Sequence, residues 1–483
     1  MLRDLLAKLV KYFPSQALPA ISGFITLPII THLFAPEIFG KYVIALALVD
    51  FLVAGTCSGI GSGVIRFYGD YKSRSELGRF FAAINANLLL MVGGTFVLVS
   101  AALLVARGRL DRTTYQLLQL AVVAYLLRGF SGVYLGVPRA AESAGLYTTF
   151  SLLLRYGSLA IGLSLIIGLG MNIGGLIWGD IGASLLVLPV LVYVSVRGVR
   201  MSFRDFSFEE ARAIFRWAWP LLIGNVAMWG LNLSDRYIVS LFRPPSELGF
   251  YSLAYGISDK SMAILVTIFI LTVSPSVINA WKSSGRLKAE ETLTVITRIY
   301  LITALPAAVG LTALGLPIIK VLATPAYYEG SRAIGYVAFS SFFWGLSIFA
   351  TVGLIIAKRT RQVSIDQVIA AATNIGLNFL LVPRFGFVAA AITTLIGFAL
   401  LFVLLAYHAH RDLTWRVPVA TIVRTLVSSG TMLAFLLVLR SAWPSSPVGV
   451  LGVGTLGGAG IHFGILALLG EFRKTSVAVV GEA

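Results

Sequence analysis

The side chains with most chemistry to offer in this sequence sit inside strongly apolar stretches. Between residues 217 and 242, Asn225, Asn232 and Arg236 recur at i, i+7 and i+11, with Trp229 beside them and Asp235 adjacent. On a helix those three lie within about 40° of one another, a polar stripe suited to lining a cavity. The bland use of Asp235 and Arg236 is a paired cap near a membrane edge. Between 249 and 280, Tyr251, Tyr255 and Asp259 share one face, with Lys260 about 100° away. Tyr42, Leu46 and Asp50 repeat that spacing earlier in the chain. Asp50, Asp235 and Asp259 are therefore the candidate ion-coupling carboxylates, for Na⁺ or H⁺; equally, Asp50 and Asp259 could brace their own helix bundles. Arg128, Arg155 and Arg298 also fall within apolar stretches. An ionisable group in hydrocarbon costs several kcal/mol, so it is paired or faces a polar cavity. Arginine holds a dense anion bidentately and keeps its charge; its competing use is snorkelling to headgroups, easiest for Arg155 and Arg298. Gln367, Asn374 and Asn378 repeat the i, i+7, i+11 spacing, fitting a hydroxyl-rich ligand or gluing helices together.

The elements that carry these residues follow from composition. The 483 residues are 58% hydrophobic and 12% charged, with a mean hydropathy of +0.89. Soluble domains carry about 25% charged residues, so a water-soluble fold is excluded. Apolar windows give fourteen spans at roughly 14–34, 42–67, 80–106, 113–136, 147–169, 173–196, 217–242, 249–280, 291–323, 332–356, 362–383, 386–408, 417–440 and 447–470. With the N-terminus in the cytoplasm, twenty-three Lys and Arg fall in cytoplasmic connections and nine opposite. That bias supports an N-in, C-in orientation. It also accounts for the net charge of +17 without invoking nucleic acid. One connection, around Arg107, Arg109 and Arg112, runs against the rule.

No connection is long enough to house a catalytic domain, which argues against an enzyme. The lone Cys57 rules out an internal disulfide, the four histidines form no metal-binding pair, and no cofactor is expected. No cleavage site follows the first span. Gly55, Gly59 and Gly63 have the small-xxx-small spacing that lets helices pack closely.

A repeat divides the chain. Pro36, Gly40, Tyr42, Ala45 and Asp50 recur as Pro245, Gly249, Tyr251, Ala254 and Asp259, always 209 residues on. A six-span unit keeps both copies in one orientation. The expected organisation is an amphipathic segment 1–13, an N-lobe 14–196, a cytoplasmic linker 197–216, a C-lobe 217–408, an appendage of two spans 409–470 and a tail 471–483. The fold class is all-α and polytopic: two parallel six-helix lobes plus two C-terminal helices.

Three passages carry a family likeness: LPIITHLFAPEIFGKYVIAL with GIGSGVIRFYGDY, LNLSDRYIVSLFRPPSELGFYSLAY, and NIGLNFLLVPRFGFVAAAIT. In order and spacing they resemble O-antigen-type lipid-linked oligosaccharide flippases of the multidrug/oligosaccharidyl-lipid/polysaccharide exporter superfamily. The resemblance covers essentially the whole chain. It implies a carrier in the cytoplasmic membrane that moves a polyprenyl-pyrophosphate-linked oligosaccharide from the inner to the outer leaflet by alternating access. It further implies contact with membrane lipids and polysaccharide polymerase or export machinery as partners. On that reading Arg128, Arg155 and Arg298 receive the pyrophosphate on the inner side, and Arg236 and Lys260 attract it on the outer. Asn225, Asn232, Asn374 and Asn378 line the glycan cavity. A cation-coupled drug antiporter of the same superfamily is one alternative, less suited to so many cavity cations. A lipid II flippase is the other; those resemble this chain but carry an arginine cluster in the first two helices, where this sequence has only Arg66 at the inner end of the second.

Overall fold

A computed structural model describes residues 23–199, 205–413 and 418–472. The expected amphipathic segment 1–13 lies outside them. Among the described residues the regular structure is helical throughout. The helices are α1 (Gly23–Leu33), α2 (Pro36–Thr56), α3 (Ser58–Ser73), α4 (Leu77–Leu88), α5 (Gly94–Ala106), α6 (Arg112–Ala140), α7 (Ala144–Leu163) and α8 (Gly174–Val196). They continue as α9 (Phe208–Phe242), α10 (Pro245–Leu322), α11 (Ser331–Ile356), α12 (Thr360–Phe385), α13 (Phe387–Ala409), α14 (Val419–Ala442) and α15 (Pro447–Leu468). Proline opens α2 and α10, where its missing N–H is no loss. Asp111 caps α6 by accepting from the Thr114 amide.

Among the described residues, eleven helical stretches are long and apolar enough to cross a membrane. The chain is an all-α, multi-pass membrane protein. Three differences from the expected spans have plain causes. Of the first span only residues 23–34 are described, with Gly23–Leu33 helical. The span 217–242, absent from the eleven, carries Asn225, Asn232, Asp235 and Arg236 along its length. The spans at 249–280 and 291–323 run together as the 78-residue α10, broken only at Gly285, whose φ of 80° and ψ of −167° a side chain would strain. Within the linker expected at 197–216, α9 already begins at Phe208.

Packing divides the chain into two compact units, one of Glu37–Ser240, the other of Leu241 onward together with the segment ending at Pro36. Relative to the lobes drawn from the repeat, α1 counts with the second unit and α9 with the first.

Inside the first unit, α9 lies along α2 and α3. Between lipid-facing helices there is little hydrophobic drive, so close packing and hydrogen bonds carry the association. A methyl group at Gly59 would stand 2.9 Å from the Ala218 carbonyl oxygen, and one at Gly63 3.3 Å from Ile214. The glycine stripe thus receives α9, as its spacing predicts. Asn87 donates to the Ala211 carbonyl at 3.0 Å, and Asn225 to the Ser58 hydroxyl at 3.0 Å. The α2–α3 joint falls at Cys57, which is buried; beside it Thr56 shares a 2.9 Å hydrogen bond with Tyr125 of α6.

In the second unit, α1 is pinned by Thr31 donating to the Leu322 carbonyl (3.0 Å) and by the Tyr327 hydroxyl donating to Phe34 (2.8 Å). Ala313 and Leu314 of α10 form a buried cluster with Met432 and Leu436 of α14 and Val450 of α15. His462 of α15, buried, spans Ser428 and the Ile302 carbonyl at 3.0 Å each. The two C-terminal helices are thereby tied to α10.

Candidate functional site

Five helices of the first unit bring their charged residues into one electrostatic neighbourhood. Arg128 of α6 stands between two carboxylates. Its Nε donates to Asp180 of α8 at 2.6 Å, and its Nη1 lies 3.6 Å from Asp50 of α2. Arg155 of α7 and Arg236 of α9 both act on Asp50, and Arg155, Arg128, Asp50 and Asp180 all act on Tyr42. The Asp50 side chain is 49% exposed and that of Asp180 only 16%. Asp180 therefore fixes the guanidinium, while Asp50 holds it loosely and remains accessible. A charge pair inside an apolar bundle survives only with such compensation.

Arg236 donates to its own helix at the Asn232 carbonyl (2.8 Å) and lies 3.2 Å from Asp235, which is 1% exposed. Asn232 is turned to the Met228 carbonyl at 2.7 Å, and Asn225 to Ser58. The Trp229 ring packs on Phe51 at 4.6 Å and on Tyr237 at 5.7 Å. The Trp229 indole N–H and the Tyr237 hydroxyl are both buried without a hydrogen-bond partner.

The second unit distributes its candidates differently. Asp259 accepts from Ser341 of α11 at 3.4 Å, and Lys260 lies over Gly23 of α1. Asn374 and Asn378 are fully buried; Asn378 donates to Asn374 at 3.1 Å and accepts from Thr393 of α13 at 2.6 Å. The lining role expected of this amide pair gives way to the alternative reading, a hydrogen-bonded seam between α12 and α13. Arg298 belongs to the other compact unit from Arg128 and Arg155 and is engaged there by Glu471 at 2.5 Å.

Two features escaped the sequence reading. Asp180 is the sole acid of α8, and a lone carboxylate in an apolar run was the signal that could have found it. His408, counted above only as one of four histidines without a metal-binding pair, lies 3.0 Å from the fully buried Asp366, which also accepts from Gln362 at 2.9 Å. The signal there was Gln362 and Asp366 one turn apart at the start of α12, opposite the end of an antiparallel α13. Among the described residues no group of three acidic, histidine or cysteine side chains could hold a metal ion.

These features belong to a known class of membrane protein. The family described as polysaccharide biosynthesis protein matches residues 5–281. The chain belongs to that family. AglR of Haloferax volcanii, named a probable flippase, is 24% identical over 65% of this chain and 66% of its own. Agl15 of the same organism, named a probable low-salt glycan biosynthesis flippase, is 23% identical over 44% of each. The chain thus spans just under two thirds of the first relative and less than half of the second. The fold is shared with the lipid II flippase MurJ in an inward closed conformation, with a TM-score of 0.77 at 15% identity over 95% of this chain and 98% of that one. An inward-facing multidrug resistance MATE family transporter, described as of the MOP superfamily, gives 0.68 at 14% identity, over 83% and 94%.

Proposed function

We propose that this protein is a flippase of the cytoplasmic membrane, carrying a polyprenyl-pyrophosphate-linked oligosaccharide from the inner to the outer leaflet by alternating access. The observation that carries the reading is the Asp50–Arg128–Asp180 arrangement, with Arg155 and Arg236 in its field. The family description and the name of Agl15 support a glycan cargo, and the name of AglR supports a flippase.

The geometry suggests how anion and cation trade places. Asp180 holds Arg128 in position. A pyrophosphate approaching Arg128 displaces Asp50, the looser of its two partners, because the dianion offers more charge and more acceptor oxygens. Asp50 then takes up Na⁺ or H⁺, since a carboxylate stripped of its partner in an apolar bundle is costly. Arg155 and Arg236 add positive field without closing the site. Trp229 and Tyr237, whose donors are buried here without a partner, would offer stacking and hydrogen bonds to sugar in a state that exposes them. The oligosaccharide then passes to polymerase or export machinery on the outer side.

The deciding experiment locates lipid-linked oligosaccharide in cells lacking this gene, using an impermeant glycan-modifying probe on right-side-out vesicles. Full-length glycolipid trapped on the inner leaflet and released on restoring the gene is the expected result. Trapped lipid II instead would move the cargo to a cell-wall precursor. Normal outer-leaflet glycolipid with altered drug resistance would replace the flippase by an antiporter.

A further inference from the structure

Two arginines and a hydroxyl converge on a carboxylate that belongs to no helix. Glu471 follows α15 on a turn set by Gly470, whose φ is 74°. Gly470 donates to the Ala467 carbonyl and Glu471 to the Leu466 carbonyl, both at 3.0 Å, the double bond of a Schellman stop. The turn folds the Glu471 side chain back until it is completely buried. There Oε1 accepts from Arg298 Nε of α10 at 2.5 Å and from Thr421 of α14 at 2.6 Å, and Oε2 accepts from Arg424 of α14 at 2.7 Å. Arg298 also donates through Nη2 to the Glu471 main-chain oxygen.

The receptor and its occupant differ in kind. Arg298, Thr421 and Arg424 are built into two packed helices; Glu471 sits on a terminal turn. Two guanidinium groups and a hydroxyl here share the two oxygens of one carboxylate. A glycan-linked pyrophosphate carries two negative charges and a phosphomonoester such as phosphatidic acid about −1.5 to −2, and either offers more acceptor oxygens to two arginines and a hydroxyl than a carboxylate does. We propose that Arg298, Arg424 and Thr421 form a phosphate-accepting site, that Glu471 fills it as an internal surrogate, and that the phosphate-bearing head of a lipid displaces Glu471. Two lipids share that chemistry, the pyrophosphate-linked cargo and an anionic phospholipid. Only the first rests on the flippase reading.

The test reads displacement in the full-length protein in nanodiscs of dioleoyl-phosphatidylcholine. A spin label on Phe472→Cys, a half-exposed neighbour of Glu471, is immobilised while the turn is docked. Farnesyl pyrophosphate or dioleoyl-phosphatidic acid should mobilise it, and farnesol should not. In Glu471→Gln the apparent affinity for the phosphorylated probe should rise about tenfold or more, and adding Arg424→Gln should remove that gain. Preference for farnesyl pyrophosphate assigns the site to the cargo; preference for phosphatidic acid assigns it to the bilayer. An immobile label at saturating concentrations of both probes, or equal mobilisation by farnesol, overturns the proposal. Binding is read without transport, so a failed leaflet experiment with a mobilised label would sink the flippase reading and leave the site standing.

Discussion

Arg128 has two partners, and the difference between them makes the site testable. Asp180, at 2.6 Å, positions the guanidinium; Asp50, at 3.6 Å and half exposed, is the exchangeable member. Asp180→Asn should therefore lower glycolipid export at every ion gradient, about tenfold or more, because the arginine loses its orientation. Asp50→Asn should leave substrate binding intact and abolish the dependence of export on the driving ion. Vesicle export assays at varied Na⁺ and pH separate the two, and identical phenotypes would remove the distinction drawn here. Arg236→Ala should abolish export with normal membrane insertion, checked by quantitative export of the glycan. Arg128, Arg236 and Asp50 were legible in the sequence because a charge in an apolar window announces itself. Asp180 gave the same signal but had no repeat mate or helical stripe to draw attention to it. Asn374 and Asn378 misled because amide spacing is the same whether a face meets a cavity or another helix; only burial tells them apart.

The packing of α9 on α2 and α3 turns on a backbone contact at Gly59, where any side chain meets the Ala218 carbonyl at 2.9 Å or closer. Gly59→Leu should cost about 1–3 kcal/mol through overpacking, read as a lowered thermal midpoint in detergent, whereas Gly61→Ala, with open space around it, should be neutral. At the other end of the chain, burial tends to raise the Glu471 pKa, but hydrogen bonds from Thr421, Arg424 and Arg298 outweigh it and hold the carboxyl below its usual 4.5. The depressed value means that the charged form stabilises the folded protein above pH 4.5, and that this contribution is lost as the pH falls through the lowered pKa. The stability gap between wild type and Glu471→Gln should accordingly be full at pH 7 and close progressively in acid, followed by thermal melts across that range. The glycine stripe was readable from spacing. The Glu471 clamp was not, since it joins residues 173 positions apart through a turn that only Gly470 hints at.

At the scale of the whole molecule, hydropathy located nearly every described helix within a few residues, because a bilayer's thickness dictates how long an apolar run must be. The repeat at 209 residues was equally plain, yet it could not tell which bundle each helix packs in, and contacts place α1 and α9 otherwise than chain order does. The Lys and Arg bias predicts an orientation in which the connection after α3 is cytoplasmic and those before α6 and between α7 and α8 are outside. Cys57 makes this straightforward to examine. A protein with a single thiol, sealed at the α2–α3 joint, is in effect already cysteine-free to an aqueous reagent. Arg74→Cys should react only with a maleimide admitted to the cytoplasm, and Leu110→Cys with an impermeant one added outside; the reverse pattern would invert the molecule. The unmodified chain is thus its own blank, and every further cysteine introduced along it becomes a one-site reporter of which face of the bilayer that residue sees, in one carrier state or the other.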